Sequence, residues 1–281
     1  MAEDPALLRI PPEIRIMIYE YLLDTGGSKR LAIRNKQGLI GPKSGGGRRT
    51  RRSVYHVIER ALGKRSRETT YALEGDVQIH TAILAVNRKI REEASHVLYA
   101  RHAFHFGDDI EAVAPFMADR TLATIGLVQD ITIHKRGPMV AIESDSQSWA
   151  STCRLLRTLP RLKTLRLAIE GGRPPGQWDG PQELSVSDLR LLYSTRHECL
   201  QWVRELAEVR IIGELEISAN MRYLPEPKTS ATLIFAAFSA SIETSLVEFL
   251  ESDIGIPARV APSPRQGSPI DSGEGTFWRN E

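Results

Sequence analysis

The chain has 281 residues, 41% of them hydrophobic and 26% charged, and a formal net charge of +2. That length and balance suit one large or two small globular domains, and so small a net charge excludes a whole-molecule field steering the protein toward nucleic acid. The 2 cysteines, Cys153 and Cys199, make neither a metal-ligand spacing nor a disulfide framework; with no bilayer-length apolar run and no signal-peptide pattern, the expectation is a soluble intracellular protein of the cytoplasm or nucleus, with no membrane partner.

The first predicted element is a helix over Leu7–Leu23 (LLRIPPEIRIMIYEYLL). Ile10, Ile14, Met17, Ile18, Tyr21 and Leu22 recur at steps of three and four, which puts them on one helical face. Pro11 and Pro12 sit at the start, where a missing N–H costs nothing, Glu13 favours the first-turn dipole, and Gly26 and Gly27 end the run. Residues 25–79 then read as an insertion. Leu31–Arg34 suits a short edge strand, and GPKSGGGRRTRR follows with a basic cluster at Arg48, Arg49, Arg51 and Arg52. Val54, Val57, Ile58, Ala61 and Leu62 would give a short helix one apolar side. The basic run reads first as a solvated loop, then as a nuclear import signal or a nucleic-acid patch; no aromatic residues alternate with the arginines to form a stacking platform.

The second organising stretch is Ala82–Phe106 (AILAVNRKIREEASHVLYARHAFHF). Ile83, Val86, Ile90, Ala94, Val97 and Leu98 form its apolar stripe; Arg88, Lys89, Arg91, Glu92 and Glu93 lie mostly opposite, and AFHF alternates as a strand. Neither helix can bury its stripe alone, so the two are expected to pack together across the insertion.

The pattern L-x-I-P-P-E-I-R-x-x-I-Y-x-Y-L-L followed by I-L-x-V-N-R-K-I-R-E-E-A-x-x-V-L-Y resembles a large ascomycete family often called F-box-like. The first block is similar to the opening helix of an F-box, and Val86, Asn87, Arg88 to its later V-C-R helix. The resemblance implies docking on a Skp1-like adaptor through Leu8, Pro12, Ile14, Ile18, Leu22, Val86 and Ile90. A protein substrate for ubiquitin transfer would then be held by the rest of the chain. The residue-level alternative is that both stripes simply form the core of a helical layer.

Further on, Ile110–Ala118 reads as a helix bent at Pro115. An apolar phrase then appears in three copies, Val128-x-x-Ile131-x-Ile133, Leu162-x-x-Leu165-x-Leu167 and Ile212-x-x-Leu215-x-Ile217, with predicted helices between them over Ser148–Leu159 and Ser187–Glu208. Strand–helix–strand spacing requires crossovers and favours parallel strands. The layout is similar to leucine-rich repeats, though the intervals are uneven. Ser185 with Asp188 suits a capping box. Trp178 lies in a proline- and glycine-rich loop over 171–181 and is expected to pack. Thr229–Asp253 reads as one long closing helix, and from Pro257 the chain reads as a disordered tail carrying Ser263-Pro264 and Ser268-Pro269.

The 7 histidines supply no metal spacing: His102 and His105 fall on opposite faces of a strand pattern. No nucleophile elbow, Walker loop or dinucleotide fingerprint is present. No catalytic residue, cofactor, metal or small-molecule ligand is therefore expected. The chain reads as an α/β protein, with α+β as the alternative. An F-box-like helical portion over 1–106 would pack with an irregular leucine-rich-repeat-like layer over 107–256, followed by the tail at 257–281. Its function would be a non-catalytic interaction module, either a substrate receptor of a ubiquitin ligase or a scaffold unrelated to ubiquitin, with weak nucleic-acid contact through the insertion as the remaining option.

Overall fold

A computed structural model describes residues 6–24, 29–35, 54–58, 68–73, 79–107, 109–137, 143–173, 183–223 and 227–262. Among them one sheet of 8 strands runs in the order β2-β3-β1-β4-β5-β6-β7-β8. The strands are β1 Arg30–Asn35, β2 Val54–Ile58, β3 Glu68–Leu73, β4 Ala103–Gly107, β5 Asp130–Lys135, β6 Thr164–Arg173, β7 Glu214–Tyr223 and β8 Ala258–Val260. From β1 through β4 to β8 every neighbour is parallel, while β3 and β2 extend the other edge antiparallel. The class is α/β.

The apolar phrases explain the parallel sheet. Ile131 pairs with Leu165 and Leu165 with Leu215; Ile133 pairs with Leu167 and Leu167 with Ile217. The three copies therefore lie side by side as two cross-strand rows, all buried. Leu31 and Ile33 of β1 and Phe104 and Phe106 of β4 are buried too. Alternate residues turn to the opposite, polar face. There Arg166 Nε donates to Glu216 at 2.7 Å, and Arg259 reaches Glu216 at 2.7 Å and Glu214 at 2.6 Å, so a charged ladder crosses β6, β7 and β8.

The helices are α1 Pro12–Leu22, α2 Arg88–Arg101, α3 Val113–Ala118, α4 Leu122–Ile125, α5 Glu143–Leu156, α6 Val186–Ser194, α7 Glu198–Ala207, α8 Ser230–Ala240 and α9 Ser245–Phe249. Several expectations are corrected here. The predicted helix from Val54 is strand β2. VYHVI is rich in β-branched and aromatic residues, and five residues are too few for periodicity to separate helix from strand. The helix expected over Ser187–Glu208 is broken between α6 and α7, where Arg196 takes a left-handed φ of 59 and His197 caps α7 by accepting the Cys199 N–H. The single helix expected over Thr229–Asp253 turns by 84° between α8 and the segment from Ser245. Ser241 Oγ donates back to the Ala237 and Phe238 carbonyls at the bend, the local competition that serine offers a helix. Pro115 sits in the first turn of α3, where it is tolerated rather than kinking the helix. The capping box of Ser185 and Asp188 is present. The border expected at residue 106 falls inside β4, and the sheet continues across it.

The two organising stretches do meet. The Leu22 carbonyl, at the end of α1, accepts the His80 N–H at 2.8 Å, so the long excursion leaves and returns at one point. The turn Thr81–Ala85 and α2 then pack on α1.

Candidate docking face on the first helix

Helix α1 is held by an unexpected side. Its buried ridge is Arg15, Tyr19 and Leu23, at steps of four. Half of the apolar stripe that the spacing turned inward faces out instead: Ile14 is 46% exposed, Met17 61% and Tyr21 83%, while Ile10, Ile18 and Leu22 are half-buried. The reason is the partner on α2. Arg15 donates Nε to one oxygen of Glu93 at 2.9 Å and Nη2 to the other at 2.6 Å, and the Tyr19 hydroxyl donates to the same carboxylate at 2.9 Å. Arg15 Nη1 also donates to the Ile10 carbonyl at 2.6 Å, tying down the residues before the helix. A buried guanidinium is tolerated only when paired and hydrogen-bonded throughout, and here a two-pronged carboxylate and a carbonyl do that. Glu93 therefore faces α1, where the pattern had set it among the solvent-facing charges. Asn87 caps α2 by accepting the Ile90 N–H at 2.9 Å.

The clamp sets its own titration. The Arg15 hydrogen bond holds the Glu93 carboxyl below its ordinary range. Burial, with the Glu93 carboxylate second, pushes Tyr19 up to about 12. A lowered carboxylate pKa gives stability that is present above the unfolded value of about 4.3 and lost as pH falls through the folded value. Urea midpoints measured from pH 6 down to pH 3 are thus expected to fall more steeply for the wild type than for Glu93→Gln.

The residues singled out for adaptor docking separate into groups. Pro12 and Ile14 are exposed on α1, and Val86, at the joint between the turn and α2, is 56% exposed. Ile18 and Leu22 are half-buried, and Leu8 leans on the core. Ile90 is wholly buried and offers no surface to a partner. Beside the outward stripe, a cleft of about 380 Å³ opens between the C-terminal ends of α1 and α2, and Tyr21 lines both. The buried ring of His102 stands in it, its Nδ1 3.0 Å from the Leu98 carbonyl, and burial lowers its pKa.

Elsewhere the chemistry is sparse. Burial pushes both thiols, Cys153 and Cys199, up to about 12, far from nucleophilic range. Among the described residues no group of three histidine, cysteine or carboxylate side chains is placed to hold a metal ion, and no single helix is long and apolar enough to cross a membrane. Arg48, Arg49, Arg51, Arg52 and Trp178 lie outside the described residues.

The model of a family described as a domain of unknown function, DUF7730, matches residues 2–190. Comparisons with curated proteins and with solved structures find no match. The matched span takes in the α1–α2 clamp and the sheet as far as β6, and ends within α6, whereas β7 and β8 carry the same sheet beyond it. On that match the chain belongs to the DUF7730 family.

Proposed function

We propose that this protein is a non-catalytic interaction module whose first helix docks a partner through Pro12, Ile14, Met17 and Tyr21, with a Skp1-like adaptor as that partner. One observation carries the reading: α1 keeps an apolar stripe in solvent while polar groups fasten its other side. An outward apolar helical arc is costly to leave bare and suits insertion into a groove at i, i+3 and i+7 spacing, here Ile14, Met17 and Tyr21. The α/β portion would hold a protein substrate. The loss of Ile90 from the candidate surface favours the second reading, a scaffold that uses the same stripe for a partner outside ubiquitin transfer.

Titration of the full chain onto immobilised Skp1 decides between them. Binding weakened by about a hundredfold or more in the double variant Ile14→Asp, Met17→Asp supports the adaptor, since central anchors are worth about 2–4 kcal/mol each. A folded wild-type chain that ignores Skp1 at micromolar concentration removes it.

A further inference from the structure

Strands β5, β6 and β7 begin level with one another: Asp130 pairs with Thr164 and Thr164 with Glu214. The three loops that lead into them therefore end in one line, about 5 Å apart. Backbone hydrogen bonds tie these loops together. Lys163 donates its N–H to the Gln129 carbonyl at 2.8 Å, Ile212 to the Leu162 carbonyl at 2.9 Å and Glu214 to the Lys163 carbonyl at 2.9 Å. A Cβ added to Gly126 would lie 3.3 Å from the Leu122 carbonyl and 3.7 Å from the Pro160 ring, so α4 ends against the loop before β6. This edge of the sheet is a level rim.

Two kinds of side chain stand on it. Leu122 is 84% exposed and Ile212 56%. Arg161, Lys163 and Arg210 are exposed as well. The carboxylates on either side of Arg210 in the chain are engaged elsewhere: Glu208 holds Arg157, and Glu214 holds Arg259. Among the described residues no ion pair is made by Arg161, Lys163 or Arg210, and Asp130, at the head of β5, pairs with none of them. The surplus charge on the rim is positive.

We infer that this rim rests on an anionic lipid surface, with Arg161, Lys163 and Arg210 against the headgroups and Leu122 and Ile212 dipping toward the acyl chains. Shape decides for a membrane over a peptide. Side chains this exposed project from the rim and do not wall a groove, and a level row of projections meets a flat partner. Basic side chains are drawn to an anionic leaflet, and apolar ones that enter the interface add to the attraction. A bilayer-length apolar run is needed to span a membrane and not to lie on one. The rim shares no residue with the α1 stripe, so its partner is independent of the one docked there.

Sedimentation of the full chain with lipid vesicles tests this. Vesicles of equal parts phosphatidylcholine and phosphatidylserine are expected to carry the wild type down, and vesicles of phosphatidylcholine alone are not. Reversing the three charges together (Arg161→Glu, Lys163→Glu, Arg210→Glu) should weaken binding by about a hundredfold or more, since each cation lost is worth about fivefold and each new carboxylate is repelled. Leu122→Ser with Ile212→Ser should weaken it by about tenfold and leave its fall with added salt in place. Undiminished binding in either variant overturns the inference and assigns the vesicles to another surface, such as the basic run at 48–52. A wild-type chain that ignores the mixed vesicles overturns it too; capture of poly-glutamate through the same three cations would then assign the rim to an acidic protein segment.

Discussion

Glu93→Ala is expected to destabilise the protein by about 3 kcal/mol, the low end for breaking a buried pair, because Glu93 keeps some contact with solvent. The asymmetry of the pair decides the size. The Arg15 side chain is 3% exposed and that of Glu93 24%. Removing the carboxylate leaves a guanidinium inside the α1–α2 interface with, among the described residues, only the Ile10 carbonyl to meet it, and leaves the Tyr19 hydroxyl without its acceptor. Arg15→Ala removes the buried charge itself and leaves Glu93 near water, so it should cost less. Urea unfolding of the two variants checks the order; an equal or reversed loss would mean that the clamp is not what fastens α1.

The second large effect is a contrast between two isoleucines from the same candidate set. Ile90→Asp should cost more than about 4 kcal/mol, because an unpaired carboxylate would enter a site with no exposed surface. Ile14→Asp should stay within about 0.5 kcal/mol of the wild type. Its side chain is half in water, and position 14 lies in the first turn of α1, where the helix dipole favours a negative charge. Thermal and urea unfolding of both variants reads the difference directly. Unfolding by Ile14→Asp would place the stripe in the core after all.

The sheet was legible because its signal is local. The paired rows of Ile131, Leu165 and Leu215 and of Ile133, Leu167 and Ile217 are short apolar phrases that only a strand buried by its neighbours explains. The existence of α1 was legible for the same reason: Pro12, Glu13 and the three-and-four spacing mark a helix wherever it packs. Its orientation was not. Neighbouring arcs of a helix differ by about 100° per residue, and two arcs of α1 are apolar enough to be core. The choice is made by Glu93, 78 positions away from Arg15 in the chain. A charged residue in a helical pattern reads as solvent-facing until its partner is known. The breaks at Arg196 and Ser241 were hidden because the apolar spacing carries on through both. An i, i+4 pair of Arg15 and Tyr19 facing Glu93 was the available signal, and only a pairing of the two stretches gives it meaning.

The outward stripe of α1 is the claim on which the docking proposal stands, and methionine oxidation tests it in the unmodified protein. Met17 is 61% exposed and Met117 1%. Under mild peroxide, peptide mass spectrometry should find Met17 converted to sulfoxide at least about tenfold faster than Met117, since oxidation follows access to the sulfur. Saturating Skp1 should then slow Met17 alone. Oxidation of Met17 as slow as that of Met117 in the free chain would contradict the account, because it would put the stripe inside the molecule.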